Sequence, residues 1–313
     1  MPATSYQLPD LVALCGETFE LRTNNHCRNA TLASQKWAGE YGLLNEDEGR
    51  KAAYSGLQVG LLAALCFPTC DLPQLRLATD FLTLLFLWND DTLSLESHEI
   101  ALESIWLRLR RTTSEDWQAR FQTGLLARST ARTARKDHPD KSVESYMRSK
   151  REASGLVLAF DLIEYAGGLH IPEEVLISPP MRQLKQDALD VITLLQDMVS
   201  YNFQQANDDD DNIVAILMSQ RSLPLQTAIQ ATASLARKAL QSFLEQERLL
   251  RSSDVNIDVN IRTYVQGLRD WIIGYAHWIY ETERYFKDNG EDVRAFGWVF
   301  LLPKRGRENI YGP

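Results

Sequence analysis

Long segments of this chain carry apolar residues at spacings of three and four, a periodicity that selects helices and leaves little room for strands. Alternating apolar and polar runs are scarce. One helix is predicted from about Glu48 to Cys66, stopping at Pro68. A second starts after Pro73 and runs to about Trp88, with Leu77, Phe81, Leu84, Leu85 and Trp88 sharing a broad apolar face. Further helices are predicted over 98–112, 115–134, 142–166, 173–176, 180–205, 210–220, 224–251 and 257–287. Gly167-Gly168 and Pro179-Pro180 read as breaks between helices and not as domain linkers. There is no repeat, no low-complexity linker and no shift in composition. The expectation is an all-α fold, one domain over residues 1–313.

At 313 residues and 44% hydrophobic content the chain can bury a substantial core. Its net charge of -9 argues against nucleic acid as the main partner, since phosphate backbones need clustered Lys and Arg. A small anion held in a local cationic pocket remains compatible with that charge. Of the four cysteines only Cys66 and Cys70 are close, with no Cys/His array to follow, so they are expected to be buried helical thiols and not zinc ligands. The N-terminus has no basic region leading into an apolar core and does not read as a secretory signal. The longest apolar stretch, Val59 to Phe67, is too short to span a bilayer. A cytoplasmic location is therefore expected.

Four stretches carry chemical information. In DFLTLLFLWNDDTLSLE an aromatic-rich apolar helix runs into Asn89, Asp90 and Asp91, either a buried helix reaching the surface or a cavity wall with hard oxygen ligands at its rim. In QDMVSYNFQQANDDDDNIVAIL, Gln196, Ser200 and Gln204 lie at i, i+4 and i+8, so a helix places them on one face. The following acidic run, Asp208 to Asp211, suits a loop or a helix N-terminus. YMRSKREASG sets Arg148, Lys150 and Arg151 within about one turn. WIYETERYF places Arg284 and Tyr285 near the end of the chain.

Together, and in this order, these stretches resemble the class I terpene synthases of fungi, particularly sesquiterpene synthases of basidiomycete type. RTNNHCRNATLASQKW is similar to that family's Arg-x-Asn-x-His stretch leading to a Trp, here Trp37. AAYSGLQVGLLAALCFPTCDLPQLRLATDFLTLLF resembles the helix pair before the metal motif. YMRSKREASG resembles the segment carrying the diphosphate sensor, with Arg151 in that role, Lys150 in place of an Arg, and Gly155 as the helix-break residue. ETERYF matches the C-terminal Arg-Tyr pair at Arg284 and Tyr285. The resemblance implies a helical bundle around a deep aromatic-lined cavity. It also implies magnesium as cofactor and a small isoprenoid substrate, a prenyl diphosphate. Ionisation of that substrate leaves an allylic carbocation, which aromatic faces stabilise. Phe81, Trp88 and Trp278 are candidate cavity residues, each equally well explained by core packing. Asp90, Arg151, Arg284 and Tyr285 are the candidate catalytic set.

The chain departs from the family at its metal motifs. The first motif, Asp, then Asp/Glu/Asn, then two residues and an acid, reads Asn89-Asp90 with Leu93 last, or Asp90-Asp91 with Ser94 last. The second, Asn-Asp-x-x-Ser-x-x-x-Glu, reads Gln196-Asp197-x-x-Ser200-x-x-x-Gln204. The candidate ligands are thus Asn89, Asp90, Asp91, Gln196, Ser200 and Gln204. Neutral amides lack the charge that makes a carboxylate a strong ligand for a hard ion, so magnesium binding is expected to be weakened or absent. Three functions fit. The first is conversion of farnesyl diphosphate to a sesquiterpene. The second is metal-independent cyclisation of a non-diphosphate substrate on the same fold. The third is a non-catalytic lipid-binding protein. A homodimer is compatible with all three.

Overall fold

The computed structural model describes residues 4–16, 19–44, 48–90, 94–137, 142–250 and 254–304. Its helices are α1 Leu11–Gly16, α2 Cys27–Glu40, α3 Glu48–Gly56, α4 Val59–Cys66, α5 Leu72–Asn89, α6 Leu95–Leu109, α7 Glu115–Asp137 and α8 Val143–Ala153. They continue with α9 Leu156–Gly167, α10 Glu173–Leu176, α11 Pro179–Ala206, α12 Ile213–Arg221, α13 Leu225–Leu249, α14 Val255–Glu281, α15 Glu283–Phe286 and α16 Gly290–Phe296. The all-α expectation is met. Not expected were two short strands, β1 Ser5–Gln7 and β2 Trp298–Phe300, which pair antiparallel with Tyr6 opposite Val299. Buried Tyr6 anchors this clasp to α11 by donating its hydroxyl to the Met198 carbonyl at 3.2 Å.

Local chemistry explains most boundaries. Asp71 precedes α5 and Pro73 sits in its first turn, where a missing N–H costs nothing. Asn212 starts α12 by accepting from the Val214 N–H at 2.8 Å. Three predicted helices are in fact pairs. The first breaks at Leu57–Gln58, where Gln58 takes φ 52 without being a glycine. The second breaks at Ser154–Gly155, where the resemblance implies a helix break, and the third at Thr282, which caps α15 and donates its hydroxyl to the Gly56 carbonyl. The CFPTC thiols also differ from expectation: Cys66 closes α4 and is buried, but Cys70 lies half-buried in the turn before α5.

α11 packs along α13 and α14, while α14 also packs on α4. That last contact is close: a Cβ on Gly274 would meet the Leu65 backbone at 2.9 Å. α5 lies among α2, α4, α6 and α9. The N-terminal motif serves this packing. Arg22 makes two bonds to Asp270 of α14, at 3.2 and 2.6 Å, and Asn24 donates to the Phe67 and Cys70 carbonyls at 2.8 Å. Trp37 is buried and donates to Ser104 of α6. Among the described residues no helix is long and apolar enough to cross a membrane.

Candidate active site

A cavity of about 580 Å³ opens between the C-terminal end of α5, the α7 C-terminal half, the α8–α9 corner, α11, α14 and α15. Its walls are apolar and aromatic: Leu62, Leu82, Leu85, Phe86, Leu156, Trp271 and Tyr275. Its rim is charged, with Arg132, Arg135, Lys150 and Arg284 set against Asp90, Asp209 and Asp211. Among the described residues that line it, four cations face three carboxylates, on a chain whose overall charge is -9. The α5 contribution follows helix geometry. Leu82, Leu85, Phe86 and Asn89 lie at i, i+3, i+4 and i+7 and form one stripe facing the cavity.

Arg284 crosses the mouth to grip Asp90 with two bonds, at 2.8 and 2.7 Å. Burial opposes its charge, but the bonds to Asp90 and the neighbouring charges together outweigh this and hold its pKa above the usual value. Tyr285 places its hydroxyl 3.1 Å from that of cavity-lining Tyr275, and burial raises both phenols. Asp90, Arg284 and Tyr285 therefore come together as expected. Arg151 does not join them. It makes two 2.6 Å bonds to Asp190 of α11 and is not among the cavity-lining residues. Its neighbour Lys150 lines the rim, 3.6 Å from Asp211. Adjacent helical residues point about 100° apart, so one of two consecutive cations must turn away, and the sequence alone did not say which.

The metal motifs are engaged in bonds of their own. Asn89 Oδ1 accepts from Arg128 Nη2 at 2.5 Å and from Arg132 Nη1 at 3.0 Å, and its backbone carbonyl accepts from Arg132 Nη2 at 3.0 Å. Burial, and then the neighbouring Arg132, lower the Arg128 pKa to about 10. Asp91 and Leu93 lie outside the described residues. At the opposite rim Gln204 Oε1 accepts from Ser200 at 2.7 Å and from Asn212 at 2.9 Å, while Gln204 Nε2 donates to Asp209 at 2.9 Å. Gln196 lines the cavity; Ser200 and Gln204 do not. Asp197 is buried, and burial raises its pKa; it accepts from Tyr146 at 2.5 Å and from the Ile213 N–H at 3.1 Å, tying α11 to α8 and α12.

The acidic run after α11 is paired with cations. Asp211 is held by Arg135, and Asp208 pairs with Lys304 at 2.6 Å. Among the described residues no three His, Cys, Asp or Glu side chains converge as a metal site. Among the described residues, Asp90 is the one carboxylate of the two motifs on this rim, and it is bonded to Arg284. At the α5 rim a neutral amide faces two guanidinium groups. A divalent cation and a guanidinium about 4 Å apart repel by on the order of 8 kcal/mol at an effective dielectric constant of about 20.

The proposed aromatic wall residues also differ. Phe81 packs on Phe121 in the core, ring centres 5.7 Å apart. Trp88 lies against His98 and under the Arg128 guanidinium, 3.7 Å from it. Both belong to the α5 face turned away from the cavity, being seven residues apart on one stripe. Trp278 is fully buried behind Phe86 and Tyr275 and donates to the Leu57 carbonyl at 2.9 Å. Gly155 turns the α8–α9 corner at φ 78, where a Cβ would meet Arg128 Nε and Leu85 Cδ1 at 2.6 Å. The actual aromatic walls are Phe86, Trp271 and Tyr275. Their signal was available in the i, i+4 spacing of 82/86 and 271/275, but only the partner helices decide which stripe faces a void.

A helical bundle holding an apolar cavity under a charged rim is the arrangement that the resemblance to class I terpene synthases implies. The profile of the family described as terpene synthase family 2, C-terminal metal binding, matches residues 70–242. Sesquiterpene synthase Agr1 of Cyclocybe aegerita is 35% identical, over 95% of this chain and 93% of its own length. Sesquiterpene synthase 6 of Postia placenta is 31% identical, over 95% and 96%. Alpha-muurolene synthase of Coprinopsis cinerea is 30% identical, over 95% and 78%. Among solved structures, hedycaryol synthase superposes with a TM-score of 0.77 at 18% identity, covering 87% of this chain and 98% of its own. The chain belongs to the fungal class I sesquiterpene synthase family.

Proposed function

We propose that this chain binds farnesyl diphosphate with the diphosphate on the cationic rim and the hydrocarbon in the cavity, and converts it to a sesquiterpene through a carbocation. The observation that carries this reading is the junction of four rim cations with an apolar cavity walled by Phe86, Trp271 and Tyr275. Arg284 and Lys150 line the rim on which this reading sets the diphosphate, and there they would stabilise the negative charge that grows as the carbon–oxygen bond breaks. Arg284 also donates in a planar fork suited to phosphate oxygens, at present filled by Asp90. The π faces of the wall stabilise the cation left behind. Magnesium, where it binds in this family, adds positive charge at the leaving group. Here the neutral, internally bonded Asn89, Ser200 and Gln204 support weak binding of that ion.

Incubation with farnesyl diphosphate, followed by gas chromatography and mass spectrometry across a magnesium titration, tests the reading. A sesquiterpene hydrocarbon or alcohol is expected. Farnesyl diphosphate recovered intact at every magnesium level would contradict it and favour a non-diphosphate substrate on the same fold.

A further inference from the structure

We propose that the Arg128–Arg132 guanidinium pair stands at the α5 rim in place of a magnesium ion, so that the substrate's diphosphate is bound there by protein cations and not through metal. The proposal rests on the diphosphate reading above and concerns how that group is held. Arg128, Arg132 and Arg135 lie at i, i+4 and i+7 on α7, so they share one helix face, the face turned toward α5. Arg132 and Arg135 line the mouth; Arg128 stands one layer behind.

Arg128 is 2% exposed, and the fold is shaped around it. Its guanidinium stacks on Trp88 at 3.7 Å, and its Nε lies where only a glycine fits, at Gly155. Arg128 Nη2 and Arg132 Nη1 converge on one atom, Asn89 Oδ1, the first metal-binding position in one of the motif's two registers. A carboxylate there would attract a divalent ion; an amide already accepting from two cations does not. Arg128 Nε and Nη1 are buried without a hydrogen-bond partner. A buried cation with unmatched donors favours an anionic acceptor nearby. Arg132 is thus a binding residue, and Arg128 a positioning residue that fixes Asn89 and adds charge behind it.

Calorimetry of inorganic pyrophosphate binding to the full chain, in EDTA and then with added magnesium, tests this. The intact protein is expected to bind pyrophosphate in EDTA, with magnesium changing the affinity by less than about threefold. Arg132→Gln is expected to weaken binding in EDTA by about tenfold or more, the loss of one charge-assisted contact. Its melting temperature, compared with the parent's, separates this from misfolding. Asn89→Asp alone should leave binding magnesium-independent, because the new carboxylate pairs with both guanidinium groups. The Asn89→Asp, Arg132→Gln double variant should acquire a magnesium requirement. Pyrophosphate binding by the parent only when magnesium is present would overturn the proposal and leave the diphosphate reading standing, as would undiminished binding by Arg132→Gln. No binding under either condition would overturn both.

Discussion

Arg284→Ala is expected to lower kcat/KM on farnesyl diphosphate by about 10²–10³-fold, the loss that follows removal of a charged donor from a site of developing negative charge. The change removes both donors of the fork and leaves Asp90 without its 2.7 and 2.8 Å partners at the mouth. An unpaired carboxylate there also repels the incoming diphosphate, so KM should rise as kcat falls. Arg284→Lys keeps a point charge without the fork and should recover part of the loss. A variant that folds, shown by an unchanged circular dichroism spectrum, and retains activity within about fivefold would remove Arg284 from the anion grip.

Trp278→Ala is expected to destabilise the fold by about 4 kcal/mol, within the range for deleting a buried Trp from a core. The indole is fully buried and packs on Phe86, Tyr275 and Tyr285. Its N–H also satisfies the Leu57 and Gln58 carbonyls, at 2.9 and 3.2 Å, where α3 meets α4. The loss should appear as a lower urea midpoint with little change in slope. Trp271→Leu makes the contrast, since that ring lines the cavity and its replacement reshapes the wall. A Trp278→Ala protein of parental stability that forms an altered set of products would make Trp278 a wall residue after all.

Helix periodicity made the bundle legible, because a stripe of apolar residues at three and four is a local signal. The breaks within 48–66 and 257–287 were less so. Gln58 adopts a left-handed conformation without glycine, and Thr282 caps a second helix through contacts with Gly56, a residue far away in sequence. The rim was half legible. Asp90, Arg284 and Tyr285 meet as their motifs imply, since each sits at a helix end whose direction the sequence marks. Arg151 and Lys150 exchanged places because helix phase, not identity, decides which one faces the cavity. The three arginines of α7 were passed over, although their i, i+4, i+7 spacing is plain in 128, 132 and 135. Their meaning depends on α5 lying opposite, a tertiary fact. The amide substitutions in the metal motifs were legible as a loss of charge; that cations had gathered at Asn89 was not.

The account turns on where a diphosphate sits, and a crystal structure of the protein with a non-ionisable farnesyl thiodiphosphate measures that directly. Density for the diphosphate is expected within hydrogen-bonding distance of Arg132 and Arg284, with Asp90 displaced from Arg284 and the farnesyl chain against Phe86, Trp271 and Tyr275. A diphosphate bound away from this rim, or a hydrocarbon chain lying outside the cavity, would contradict it.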